Sequence, residues 1–331
     1  MPQMASDKPT PPAKADSDSS RRVALVLGAG GARGLAHIGA IQALLRRGYQ
    51  IAAIGGSSMG ALIGGIHAAG RLDAYRDWAC ALERGDVFRL LDFTFGNPGF
   101  IKGERVINAI RELVGDHRIE DLPIPYMAVA TDLKRQREVW LTRGPLFDAI
   151  RASIAIPMVL TPHVINGREL VDGGLLAPVP IAGTRMAMVD LVVAVDVSAQ
   201  VAHRPKSPVE APADSGRDSP KAKGQSEADT DTDTDTSSLR ERIGNFIDGL
   251  LEKSEPAPKQ KAQPSMLELM SRSLDTMQAQ IARLQLALDP PDVLVKVPHD
   301  VCFFYEFWRA RELIEIGEKA TDKALDAYEA G

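Results

Sequence analysis

The stretch IAAIGGSSMGALIGG (Ile51–Gly65) decides the fold. Its first four residues are an apolar run of the kind a buried strand uses. From Met59 to Ala69 the chain is apolar and small, the content of a buried helix, and Gly70 is a natural helix stop. Between the two stands Gly56-Ser57-Ser58-Met59-Gly60, which fits G-x-S-x-G, the strand–turn–helix elbow that presents a nucleophilic serine. Only Ser58 fits the centre, because Ser57 would need glycine where Met59 stands. A serine hydroxyl is a weak nucleophile and needs a base, so the stretch raises the question of where that base sits. The wider window Ile51–Gly70 has no Asp, Glu, Lys or Arg, and Gly56, Gly60 and Gly64 repeat as G-x-x-x-G. Membrane-spanning helices share both features. The window's six glycines, two serines and strand-like start favour a strand, a tight turn and a helix instead.

Upstream, Val23–Leu27 is a second buried-strand run, followed by the glycine-rich LGAGGARG (Leu27–Gly34). Leu35, Ile38, Ile41, Leu44 and Leu45 then form a helical stripe that stops at Gly48. Two consecutive strand–helix units predict adjacent parallel strands with right-handed crossovers. Downstream, IPYMAVATD (Ile124–Asp132), VDLVVAVDVS (Val189–Ser198) and PDVLVKV (Pro291–Val297) read as strands. HVINGRELV (His163–Val171) carries Asn-Gly between two short runs, a hairpin signal. Helices are expected over Met266–Leu288 and Phe307–Ala327. The fold class is α/β: three α/β/α layers around a mostly parallel central sheet.

The chain has 331 residues, 44% apolar and 25% charged, with a net charge of −5. No basic field recruits nucleic acid. Cys80 and Cys302 lie far apart, which argues against a disulfide framework and suits a reducing compartment. Residues 1–21 are rich in Pro, Ser and Asp without an apolar core, so they read as a disordered tail rather than a secretory signal. The expected location is cytoplasmic, with contact at the membrane periphery. The catalytic domain is expected over 22–200, a low-complexity, mostly disordered insertion over 201–262, and a helix–strand–helix completing the domain over 263–331. The insertion holds an Asp-Thr repeat, Asp229–Thr236, that lacks the Gly and Glu of a calcium loop. It also holds one amphipathic stripe, Leu239–Leu251, which packs on the core or serves as a lid or lipid-surface helix. No cofactor or metal is expected.

Glycines in LGAGGARG free backbone amides to face an anion at a helix N-terminus. Dinucleotide binding would want glycine at Arg33 and an acid after the second strand, where Gly55-Gly56-Ser57-Ser58 stands instead. A P-loop would want Gly-Lys-Ser/Thr. Both glycine-rich segments end parallel neighbouring strands, at the usual ligand crevice. The amides of Gly30, Gly31 and Ala32, with that of Met59, are therefore candidates for stabilising the oxyanion of acyl transfer.

The six histidines are poorly placed for the base. His37 and His67 fall within the two helices. His117 lies in a polar stretch, His163 starts the hairpin and His203 borders the insertion. His299 follows the last strand and alone fits the Ser…Asp…His order of α/β-hydrolases. In ELVDGGLLAPVP (Glu169–Pro180), Asp172 ends a strand before Gly173-Gly174. By local sequence that is an ordinary Asp-Gly turn as readily as a base.

Three motifs in this order, Gly30-Gly31-Ala32-Arg33-Gly34, Gly56-x-Ser58-x-Gly60 and Asp172-Gly173-Gly174, together resemble the patatin-like phospholipase family. ATDL (Ala130–Leu133) and RASIAIPMVLTPH (Arg151–His163) resemble further blocks of it. The resemblance implies a Ser58–Asp172 dyad without histidine, an oxyanion hole at Gly30, Gly31, Ala32 and Met59, and a basic Arg33 that fixes the loop or adds positive potential. Gly34, Gly56, Gly60, Gly173 and Gly174 would support the site. The implied substrates are acyl-lipid esters, cleaved through an acyl-enzyme. RASIAIPMVLTP (Arg151–Pro162) either lines the acyl pocket or is plain core. The alternatives are a histidine-dependent esterase using His299 and a non-catalytic domain that binds an anion or a partner.

Overall fold

The computed structural model describes residues 21–92, 99–184, 188–200 and 266–331. The tail, the Asp-Thr repeat and the amphipathic stripe of the insertion lie outside the described residues. The first unit runs β1 (Arg22–Leu27), a short 3-10 turn (Gly31–Leu35) and α1 (Ala36–Arg46). The second runs β2 (Gln50–Ser57) and α2 (Met59–Ala68). After α3 (Leu72–Ala81), α4 (Arg84–Arg89), β3 (Gly99–Ile101) and α5 (Glu104–Val114) come β4 (Tyr126–Asp132), β5 (Arg137–Leu141) and α6 (Leu146–Ser153). Then β6 (Met158–Leu160), β7 (His163–Ile165), β8 (Arg168–Asp172) and β9 (Leu191–Ala199) lead to α7 (Met266–Leu288), β10 (Val293–Pro298) and α8 (Ala310–Glu329).

The main sheet has the order β10-β9-β1-β2-β4-β8-β7, with β5 pairing β4. The five strands from β10 to β4 are parallel, and β5, β7 and β8 pair antiparallel. Alternation along β1 shows why its run reads as continuously apolar. Val23, Leu25 and Leu27 join the larger core, with buried residues of α1, α2 and α8, while Ala24 and Val26 join a second core with Ala282 of α7. A strand buried on both faces needs apolar residues at every position. The sheet is thus the middle of three layers.

The hairpin forms as its Asn-Gly predicts. Asn166 and Gly167 both have positive φ, 51° and 70°, as a type I′ turn requires. Pairing around β4 then sets the site. β2 pairs β4 up to Ser57↔Val129, whereas β5 pairs β4 from Ala128 to Asp132. Partners of the same residues must occupy opposite edges of a strand, so β2 and β5 flank β4. β8 also overlaps β5 on β4, with Asp172↔Ala130, and therefore lies on the β2 edge. Parallel β2 and antiparallel β8 end nose to nose on consecutive residues of β4. The residue after β2 is Ser58, and the last residue of β8 is Asp172.

Candidate active site

Ser58 sits at the β2–α2 corner with φ 53° and ψ −122°. This is a conformation L-residues rarely adopt, and it costs about 1–3 kcal/mol. Close packing maintains it. A Cβ on Gly60 would stand 2.0 Å from the Leu27 carbonyl oxygen, so α2 presses on the end of β1. One on Gly56 would stand 2.5 Å from the Gly60 backbone, and one on Gly34 2.3 Å from Met59 Cβ. The Ser58 amide donates to Ser153 Oγ at 3.0 Å, and Ser153 Oγ donates to the Val129 carbonyl at 2.5 Å. That bridge ties the elbow to α6 and β4.

The Ser58 hydroxyl donates to Asp172 Oδ2 at 2.5 Å, and both residues are buried. The Gly174 amide donates to Asp172 Oδ1 at 2.7 Å. Backbone bonds from Asp172 N to the Ala155 carbonyl (2.9 Å) and from Thr131 Oγ1 to the Asp172 carbonyl (2.9 Å) fix the strand end. A Cβ on Gly173 would lie 2.1 Å from the Val129 carbonyl oxygen and 2.8 Å from Ser57 Oγ, so only glycine lets the chain turn there. Burial pushes the Asp172 carboxyl up from the ordinary 3.8 to about 6, against the lowering pull of the Ser58 hydroxyl and the Gly174 amide.

The glycine-rich loop is held by most of its backbone. The amides of Gly28 and Ala29 donate to the carbonyls of Val195 (3.0 Å) and Pro178 (2.8 Å). Ala32 departs from its expected role, because its amide donates to the Phe304 carbonyl at 2.8 Å. The 3-10 turn aims that N–H toward the β10–α8 connection. Among the described residues none takes the amides of Gly30 and Gly31. Arg33 is no surface charge. It is buried and its guanidinium donates to the carbonyls of Gly30 (3.1 Å) and His299 (2.9 Å), with Asp275 at 3.4 Å. These contacts tie the Gly30 carbonyl of the loop to the backbone after β10.

His37 lies fully buried beneath the loop with Nε2 2.8 Å from the Gly28 carbonyl. Burial holds its imidazole down to about 4, so the ring is neutral and Nε2–H donates. His299 is exposed after β10, and its backbone rather than its ring serves the site, through Arg33. β10 lies three strand positions from β2, roughly 14 Å at ordinary strand spacing. Among the described residues no group of His, Cys, Asp and Glu could hold a metal.

Two contributors carried no signal of their own in the sequence: Ser153, which holds the Ser58 amide, and the Phe304 carbonyl, which takes the Ala32 amide. Ser153 lies in the RASIAIPMVLTP segment, which also supplies the Ala155 carbonyl to Asp172. Beyond Ala155 that segment is half-buried from Ile156 to Pro162.

Comparisons with known proteins place the chain in a family. The patatin-like phospholipase family matches residues 25–184. An uncharacterised NTE family protein of Mycobacterium tuberculosis is 42% identical over 94% of this chain and 93% of its own length. The lysophospholipase nte1 of Emericella nidulans is 34% identical over 54% of this chain, but only 12% of that protein. The solved structure of VipD from Legionella pneumophila covers 93% of this chain at 14% identity, with a TM-score of 0.42.

Proposed function

The chain belongs to the NTE family and carries a patatin-like phospholipase domain, and we propose that it hydrolyses acyl-lipid esters through a Ser58–Asp172 dyad. The observation that carries this is the 2.5 Å bond from the Ser58 hydroxyl to a buried carboxylate whose pKa is lifted to about 6. An aspartate near its ordinary value is too weak a base for a serine. Raised toward neutrality, Asp172 comes closer to the optimum for general-base catalysis, which contributes about 10²–10⁴-fold.

Ser58 Oγ attacks the ester carbonyl carbon while its proton passes to Asp172 Oδ2. The carbonyl π electrons move to the oxygen, and the oxyanion is met by the amides of Gly30, Gly31 and Met59 and by the positive end of the α2 dipole. Ala32, its amide engaged by Phe304, braces the loop. Collapse breaks the bond to the leaving alcohol, which takes the proton from Asp172. Water, deprotonated by Asp172, then attacks the acyl-Ser58 ester, and the carboxylic acid departs as Ser58 regains its proton. Lysophospholipids and phospholipids are the proposed substrates, met at the membrane periphery. The half-buried apolar run Ile156–Pro162 is the proposed wall of the acyl pocket.

Neither alternative finds comparable support. A triad through His299 would need a ring that is instead exposed beyond an edge strand. A purely ligand-binding domain leaves the strained Ser58 backbone without purpose. The test is to incubate the protein with lysophosphatidylcholine, follow fatty-acid release, and quench early for intact mass. An acyl mass increment on the Ser58 peptide, absent in Ser58→Ala, is expected. Turnover without any increment on Ser58 would refute the mechanism.

A further inference from the structure

The chain has nine Phe, five Tyr and three Trp, and five of these aromatics stand within six residues, Phe303–Trp308. The segment joins β10 to α8. A buried core would absorb such a run, but here Phe303 is 61% exposed and its neighbours Phe304 to Trp308 are only half-buried. Phe307 packs against the main core, and the other four rings form one connected array. Phe303 stacks on Tyr305 at 5.7 Å and 6°, Tyr305 meets Trp308 at 6.2 Å, and Trp308 meets Phe88 of α4 at 6.5 Å. Glu306 holds the turn by accepting from the Phe303 amide (2.8 Å) and from Arg309 (2.9 Å). The array is therefore presented by a braced turn.

Its place gives it meaning. The Phe304 carbonyl takes the Ala32 amide, and a Cβ on Gly31 would lie 2.7 Å from that carbonyl oxygen. The aromatic turn and the oxyanion loop are thus in direct contact. One cation completes the surface: the Arg84 guanidinium sits 5.2 Å over the Trp308 ring, and among the described residues no carboxylate pairs with it. Arg89 and Arg309, by contrast, are neutralised by Asp86 and by Glu306 and Glu312.

From these features we infer that the Phe303–Trp308 turn, with Phe88 and Arg84, is the surface by which this protein seats on a phospholipid–water interface, placing the oxyanion loop against the lipid. This rests on the acyl-lipid hydrolase reading above. Amphipathic Trp and Tyr rings suit the headgroup layer. A lone stacked arginine complements a lipid phosphate, and the otherwise balanced charges give no general field for anionic membranes. Seating should therefore occur on zwitterionic lipid.

The test uses the full chain with Ser58→Ala, so that no turnover disturbs the vesicles, in flotation with phosphatidylcholine liposomes. Phe303→Asp should weaken binding about tenfold, the scale of losing one partly buried aromatic. Arg84→Gln should weaken it about threefold. Trp140→Asp, at a 48% exposed aromatic on β5, should leave it unchanged. Thermal melts exclude unfolding. Failure of the parent to float, or equal effects at Phe303 and Trp140, would overturn the inference. A dimer dissolved by Phe303→Asp, without flotation, would assign the surface to a second copy and also overturn it. Acyl-Ser58 trapping in the wild type tests the hydrolase reading separately, so failure of either is distinguishable.

Discussion

Replacing Asp172 by Asn should abolish turnover and stabilise the fold, and the pH dependence of the second effect is specific. Burial raises the Asp172 carboxyl from 3.8 to about 6 in the folded protein. The folded state therefore holds this proton more tightly than the unfolded chain. Below about pH 4 the carboxyl is neutral in both states and has no ionisation cost. Between about 4 and 6 only the unfolded chain ionises, and stability falls by up to about 1.4 kcal/mol per pH unit. Above pH 6 the loss levels off at about 3 kcal/mol, that slope carried across the interval from pH 4 to pH 6. Asparagine can keep the contacts with the Gly174 amide and the Ser58 hydroxyl, with no proton to lose. Urea unfolding of both proteins from pH 4.5 to 8 should show Asp172→Asn gaining with pH until about 6 and holding a constant advantage beyond. A constant offset at every pH, or a wild type more stable at pH 7.5, would refute the idea that Asp172 is a desolvated carboxylate held for catalysis.

The rate profile should follow the same group: kcat/KM for a soluble ester should fall tenfold per pH unit below an apparent pKa near 6, as the base is protonated. Ser153→Ala strands the Ser58 amide and should cost about 1–3 kcal/mol of stability. It should also lower kcat more than it raises KM, since the elbow rather than the substrate contact is loosened; steady-state kinetics check this. Ser58→Gly should melt above Ser58→Ala, because both remove the hydroxyl but only glycine relieves the positive φ, by about 1 kcal/mol net of its entropy cost. Gly173→Ala should give folded but inactive or unfolded protein, readable by circular dichroism and turnover, because its methyl would collide with the Val129 carbonyl.

Much of this was legible in the sequence because local rules act there. The two strand–helix units, the Asn-Gly hairpin and the Ser58 elbow each follow from periodicity or turn chemistry over a few residues. The partner of Ser58 was not legible in that way. Asp172 looks like an Asp-Gly turn until β2 and β8 are seen to meet on the same edge of β4, a relation between residues 114 apart. Only the three-motif resemblance singled it out beforehand. Ala32 illustrates the opposite failure. Its place in the glycine loop makes it a plausible donor, yet the direction of one N–H depends on a carbonyl at Phe304, far along the chain. Helix α4, six residues with none buried, and strand β5, with none buried, carry weak local signals and owe their form to packing, whereas α5 shows an ordinary amphipathic stripe at Ile107, Ile110 and Val114. Arg33 also needed the structure, since a buried guanidinium and a solvated one look alike in sequence.

The most direct test of the central claim is active-site labelling with a fluorophosphonate, read by mass and site on wild type, Ser58→Ala, Asp172→Asn and His299→Ala. A dyad predicts an adduct on Ser58 in the wild type and in His299→Ala, at equal rates, and its loss in the other two. Labelling that requires His299, or that persists undiminished in Asp172→Asn, would contradict the account.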